Sequence, residues 1–406
     1  MRTRSAWFAV VAMCMCTPTA GQTVLSEADA LARLSSDSPR ARAIRSAVDV
    51  ARAGVLNVGR WPNPRLNVDR EAVAGVSEVL TTVLQPLPIT GRRTLERESA
   101  TASVEATARR ADDELRRTRA DLRLAFASLV AAQIRERELT RSRDQLQELA
   151  RILERRETAG DAAGFDRLRA EREVLDVEAD RVLAAGDRDR AQARLTGFFA
   201  AGTDASSLVA EERLIGPRDI PPVDVLVSQA ERVRGEVLAL QQDAESARLL
   251  LEAADRRRIP EPELMAGTKS SNLAGGDIGS VISIQAVLPL FDHGQPERAI
   301  GQARASQAAA RLEAFRIALR SDIAAARTAA LDRRRAAEQY RASALKTTNE
   351  VERIAQVSYD AGERGILELL DAYRTSSSAR LRLAALDATA REAEIELEFV
   401  SGWEIP

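Results

Sequence analysis

Aromatic side chains make up only 3% of the 406 residues, and there is one histidine, His293, and two cysteines, Cys14 and Cys16. Each shortage removes a class of chemistry. A lone histidine, with neither a cysteine nor a second histidine near it, cannot supply the several ligands a dedicated transition-metal site needs, so neither a metal nor another cofactor is expected. Both cysteines fall in a segment ordered like a secretory signal peptide: Arg2 and Arg4, an apolar run over 6–16, then small residues and Pro18 before Ala20-Gly21-Gln22. Cleavage near Ala20 leaves an exported chain without thiol or disulfide. A lipoprotein-type cleavage before Cys14 is the alternative, and Met13 suits it poorly. Long hydrophobic runs are also missing, since no segment after the signal reaches the ~18 continuous apolar residues of a membrane helix. Charge of one sign is absent too: the formal net charge is −2 with both signs interspersed, which excludes a basic nucleic-acid face. No phosphate-loop lysine accompanies Gly275-Gly276, and the paired acids Glu261 and Glu263 lack any nucleophile and base around them. No catalytic site is expected.

What is present is 45% hydrophobic and 30% charged residue content dominated by alanine, arginine, glutamate and leucine, the composition of long helices and coiled coils. After the signal, residues 26–58 read as helix with Pro39 breaking or starting it, until Trp61-Pro62-Asn63-Pro64 stops it. Extended segments are expected over 64–74 and 76–86. A helix without glycine or proline follows over 92–156, with Leu139, Leu146 and Leu153 at heptad spacing and Leu149 between them. Gly160 and Gly164 mark a turn, and a return helix runs through Phe165, Leu168, Leu175 and Val182 towards Leu195. The second half replays this order. A helix is expected over 225–258, extended pieces over 263–271 and 278–288, and then a long helix whose stripe Tyr340, Ala344, Thr347, Val351 and Ile354 ends at the turn around Gly362 and Gly365. Pro62 and Pro64 recur as Pro260 and Pro262 at an offset of 198, Pro86 and Gly91 as Pro289 and Gly294 at 203, and Gly160 as Gly362 at 202. Such steady offsets argue for duplication. The expected organisation is a signal at 1–20, a first repeat at 21–200, a linker at 201–224 and a second repeat at 225–406.

Two strands per repeat are too few to stand alone. In an exported chain, strands of roughly ten residues have the length of outer-membrane barrel strands. Four of them cannot close a barrel that needs about eight, so several copies must contribute. A soluble sheet built from the same strands is the competing reading.

With these residues in view the chain resembles the TolC-like outer-membrane efflux channels. The likeness spans both repeats, the paired strands, the long hairpins and the glycine turn followed by Ile366-Leu367-Glu368-Leu369-Leu370-Asp371. Gln85-Pro86-Leu87-Pro88 with Gly91-Arg92-Arg93, and Leu288-Pro289-Leu290-Phe291-Asp292 with Gly294-Gln295, are most similar to the heavy-metal and cation efflux branch. The resemblance implies a mainly α protein with membrane β structure: a homotrimer with a twelve-stranded barrel among outer-membrane lipids and a helical tunnel in the periplasm. It would meet a periplasmic adaptor and an inner-membrane pump of the RND type. It further implies that Tyr359, Arg364 and Asp166 form a latch between hairpin tips, that Glu368 and Asp371 ring the pore, and that the tips at Gly160, Gly164, Gly362 and Gly365 dock the adaptor. Glu368 stands where aspartate is usual, and Gly365 where serine or threonine is common. As plain coiled-coil surface charges, Arg364 and Asp166 would contribute little. A non-conducting periplasmic coiled-coil adaptor or scaffold is the alternative function.

Overall fold

A computed structural model describes residues 23–34, 38–160, 164–199, 202–212 and 219–403. The signal segment with Cys14 and Cys16, the middle of the first turn and Gly216-Pro217 of the linker lie outside the described residues.

Proline and glycine punctuation sets most element ends. Pro39 occupies the first turn of α2 (Pro39–Val55), preceded by α1 (Glu27–Arg33), which Ser26 caps through a reciprocal bond with Asp29. The proline run after Trp61 gives way to β2 (Arg65–Val73) and β3 (Val76–Pro86), joined through Gly75 at φ 84°. From there α3 (Arg92–Thr158) runs for 67 residues, about 100 Å, and α4 (Gly164–Thr196) returns along it. The second half repeats the order: α5 (Val223–Val233), α6 (Gly235–Asp255), β5 (Pro262–Ser271), β6 (Asp277–Ala286), α7 (Gln295–Gln339), α8 (Lys346–Asp360) and α9 (Ile366–Ser401).

The four strands form one antiparallel sheet in the order β2-β3-β5-β6, leaving β2 and β6 as open edges among the described residues. Its register sorts the side chains by face. Leu66, Val68, Val79, Val83, Leu264, Ala266, Ile278, Ile282 and Ile284 share one face, with Arg70 as its only charge. Arg65, Asn67, Asp69, Glu71, Glu78, Glu263, Lys269, Asp277 and Gln285 share the other, where Arg65 pairs with Glu263 at 2.6 Å and Lys269 with Glu78 at 2.6 Å. The second face also carries Leu80, Leu84, Met265 and Val281, so what pairing sorts is the charge, all of it but Arg70 lying on one side.

Two expectations are corrected, the first and third below, and one segment gains detail. First, the helix expected over 225–258 is broken at Arg234, whose backbone is extended (ψ 119°) between α5 and α6. The break seats a buried guanidinium: Arg234 donates to the carbonyls of Phe399 and Val400 at 3.0 Å, pairs with Asp113 at 3.1 Å and lies over the Phe399 ring. Gly235 follows because a Cβ there would stand 2.2 Å from the Arg109 carbonyl oxygen. Second, the linker segment carries a strand of its own. Its Leu208–Ala210 strand (β4) pairs in parallel with Thr23–Leu25 (β1), and both ends cover a core of Leu122, Phe126, Leu129 and Leu195.

Third, two apolar stripes point away from the chain's own core. Phe165, Leu168, Leu175 and Val182 on α4 are all more than half exposed, and Val351 and Ile354 on α8 nearly so. On α4 the packed positions are Ala170, Glu173, Ala184 and Leu195. On the second hairpin the cause is a π-helical turn, Tyr340–Leu345, between α7 and α8. Ile323, Ala330 and Ala337 face inward at seven-residue spacing, and Leu345, Glu352 and Tyr359 continue it after a step of eight. One extra residue has entered the heptad, so the seam moves by one position and the stripe expected from the sequence turns outward.

Candidate functional site

The two hairpins turn alike. α3 passes through Ala159 into Gly160 at φ 84°, and α8 through Ala361 into Gly362 at φ 73°, the left-handed region that only glycine enters freely. The glycine amides donate back to Glu157 at 2.9 Å and Tyr359 at 3.0 Å. Gly164 opens α4, leaving space where a Cβ would meet the Glu157 carboxylate at 2.4 Å, and Gly365 caps α9 in extended backbone.

Behind the turns lies a shared core. Leu146, Leu149 and Leu153 of α3 and Ala170 of α4 pack with Ala355 and Tyr359 of α8 and Ile366, Leu369 and Leu370 of α9. Polar bonds cross the same seam. Buried Glu173 of α4 accepts from Arg374 of α9 at 2.8 Å. Glu352 of α8 accepts from Arg380 at 2.5 Å, from Ser376, and from Gln145 of α3 at 3.2 Å, so one carboxylate joins three helices. Arg167 closes the first hairpin through Glu157 at 2.6 Å and Glu171 at 2.7 Å, and these hydrogen bonds raise its already high pKa. Tyr373 donates to Gln356, and burial, with Glu352, Asp360 and Tyr359 nearby, pushes its phenol up.

Of the residues singled out in the sequence, Tyr359 is buried in this core, with the Arg156 guanidinium 5.3 Å from its ring centre and 3.4 Å from its hydroxyl. Arg364 is exposed in the turn and Asp166 half-buried in the first turn of α4; within one chain the two form no ion pair among the described residues. Glu368 and Asp371 stand exposed one turn apart on α9, opposite its packed face of Ile366, Leu369, Leu370 and Ala372, and neither has an ion-pair partner among the described residues. Neighbouring carboxylates left unpaired in this way form a solvent-facing negative patch. His293 is exposed at the foot of α7, and among the described residues no group of three histidine, cysteine or acidic side chains could hold a metal.

Residues 226–402 match the family described as outer membrane efflux protein. That stretch, somewhat under half of the chain, is similar to outer membrane efflux proteins. The whole fold agrees. The chain is 25% identical, over 87% of its length and 84% of the relative's, to the cobalt-zinc-cadmium resistance protein CzcC of Cupriavidus metallidurans. Among solved structures it superposes on the outer membrane protein VceC of Vibrio cholerae with a TM-score of 0.77 at 16% identity, covering 93% of this chain and 96% of that one. CusC gives 0.74 at 15% identity, over 92% and 91%. The heavy-metal branch suggested by the proline motifs is therefore the branch in which a curated relative falls. The groups missed in the sequence hold the tips together: Arg374 with Glu173 and Gln145 with Glu352 join the two hairpins, and Arg380 with Glu352 closes the second. Their signal was available: Glu173 and Glu352 are acids at core positions of a helical seam, and buried acids require partners.

Proposed function

We propose that the chain is the outer-membrane channel of a tripartite export system, a passive duct for metal cations or small cationic molecules delivered by a periplasmic adaptor and an inner-membrane pump. One observation carries this reading: a four-stranded sheet with both edges open, one face rich in valine, leucine and isoleucine and the other holding every charge but Arg70. An apolar outer face suits lipid, a charged inner face suits a water-filled lumen, and open edges call for further strands. Three copies of four strands give twelve, enough to enclose a channel. The outward stripes on α4 and α8 then supply the contacts between neighbouring copies in the helical tunnel. No helix among the described residues is long and apolar enough to cross a membrane, so the sheet is the element offered to the bilayer. A non-conducting scaffold would have no use for a sheet sorted in this way.

On this reading Arg364 and Asp166 latch the tips between neighbouring copies, because they do not meet within one chain. The test uses the absence of cysteine after residue 16. Ser280→Cys on β6, combined with a scan of single cysteines along β2, should give disulfide-linked trimers at one register. The same protein should conduct in planar bilayers, and Arg364→Ser should raise conductance in the resting state. A monomer that never cross-links and carries no current would refute the assignment.

A further inference from the structure

The strand–helix junctions gather at one end of the sheet, and what they gather is a belt with two layers. Antiparallel register places the loops before β2 and β5 and after β3 and β6 on the same side, and hydrogen bonds tie them. Gln85 donates to the Pro62 carbonyl at 3.0 Å, Leu87 to the Pro262 carbonyl at 2.8 Å, and Arg93 to the Arg60 carbonyl at 2.7 Å. The layer nearest the sheet is apolar and open: Trp61, Ile89, Val287, Leu288, Leu290 and Phe291 are each more than 60% exposed. So large a set of exposed apolar side chains on one rim needs a covering. Immediately behind it, before β2, at the first turns of α3 and in the turn just after α6, stands a layer of arginine. Most acids at this level are engaged, Glu96 and Glu261 by Arg92, Asp255 by Arg258 and Arg298, and Glu297 by Arg257, while Glu98 and Asp292 are exposed without an ion pair among the described residues. Arg60, Arg93, Arg97 and Arg256 have no carboxylate partner among the described residues, and Nε of Arg93 is buried without an acceptor.

Resting on the reading that the sheet enters the outer membrane, we infer that this belt binds anionic glycerophospholipid in the leaflet that faces the helices. The chemistry is complementary at both depths. Acyl chains and glycerol cover Trp61, Phe291 and the leucines, as amphipathic rings do at membrane interfaces. Phosphodiester oxygens accept from the guanidinium groups of Arg60, Arg93, Arg97 and Arg256, which form no ion pair with the chain's own acids among the described residues. A neutral surface would cover the apolar layer and leave these cations unmatched.

Trp403→Phe in the chain after signal removal leaves Trp61 as the only indole, since Trp7 lies in the signal segment. In phosphatidylcholine vesicles containing phosphatidylglycerol, lipids brominated close to the headgroup should quench Trp61, and unquenched, water-like emission would overturn the proposal. Native mass spectrometry of protein released from the same vesicles should show retained phosphatidylglycerol in preference to phosphatidylcholine. Each Arg→Gln change at 60, 93, 97 and 256 should weaken that retention by about fivefold. The matching Arg→Lys variants should keep it. Equal retention of both lipids, preference for added lipopolysaccharide, or equal loss in lysine and glutamine variants would refute the inference. Conductance of the same preparation reads the channel assignment separately: current without lipid preference overturns only the belt, and lipid preference without current overturns only the channel.

Discussion

Arg123 on α3 carries two carboxylates that their surroundings push in opposite directions. It binds Glu27 at 2.5 Å and also Glu398 of α9, while Arg391 of α9 reaches Glu27 at 2.9 Å. Burial alone would push Glu27 up, but Arg391 and Arg123 outweigh it and hold the carboxyl below the usual glutamate range. Burial pushes Glu398 up as well, and there Arg123 offsets it only in part; one oxygen of Glu398 is buried without a donor. The signs follow from linkage. With its folded pKa depressed, Glu27 stabilises the fold above the ordinary glutamate range, and that contribution is lost as pH falls through its folded value. With its folded pKa raised, Glu398 costs stability as pH rises from the ordinary range through its folded value. Glu27→Gln should therefore lower stability at neutral pH by about 1–3 kcal/mol, because two half-buried guanidinium groups each lose one of their two anions. Glu398→Gln should change it by less than about 1 kcal/mol. Melting curves from neutral to acid pH decide this: the gap between wild type and Glu27→Gln should close as pH falls, and a constant gap would exclude the assigned linkage.

Among the elements, the π-helical turn at Tyr340–Leu345 explains both a failure of sequence reading and a testable tolerance. Ile323, Ala330 and Ala337 are one heptad apart, as are Leu345, Glu352 and Tyr359, and eight residues separate the two series. Deleting exposed Ala342 should restore a continuous heptad, convert the turn to α-helix and leave Glu352 and Tyr359 in the seam. Stability should hold or rise, and the Arg156 cation over Tyr359 should persist. A deletion that unpacks the tip, seen as protease sensitivity at the Gly362 turn, would show that the turn has another cause. The strands, by contrast, were legible within a few residues, because the prolines at 62–64 and 260–262 separate them from the preceding helices, Pro86 ends β3, and Gly75 and Gly276 turn hairpins. Leu139, Leu146, Leu149 and Leu153 were legible as a packed face for the same local reason. What escaped depends on distant partners. Arg234 breaks a good helical pattern only because Asp113 and the carbonyls of Phe399 and Val400 wait for it. The three-residue strand at Leu208–Ala210 exists only because Thr23–Leu25 lies alongside. The candidate gate was half legible: glycine turns announce the tips, whereas the pairing of Glu173 with Arg374 joins residues 201 apart.

For the whole molecule, the charged face of the sheet and the tip acids make one electrostatic argument. Asp69, Glu71, Glu78, Glu263 and Asp277 face the same side as Arg65 and Lys269, five negative charges against two positive, or three negative in excess per chain. Glu368 and Asp371 add two unpaired acids at the far end, some 100 Å away along the helices. In the closed assembly proposed above both sets would repeat around one axis, and rings of like charge would concentrate counter-ions in a narrow conduit. A duct so lined passes cations in preference to anions whatever pump supplies it, which agrees with a cation-resistance relative. Reversal potentials across a salt gradient should show cation selectivity, reduced at high ionic strength as screening shortens the reach of each ring. The two ends can then be separated. Glu368→Gln with Asp371→Asn should weaken block by multivalent cations added from the tip side by about tenfold. Glu78→Gln should leave that block unchanged while lowering selectivity. Block that survives removal of both tip acids would place Glu368 and Asp371 outside the conduction path, and the negative patch on α9 would then belong to the outer surface where an adaptor docks.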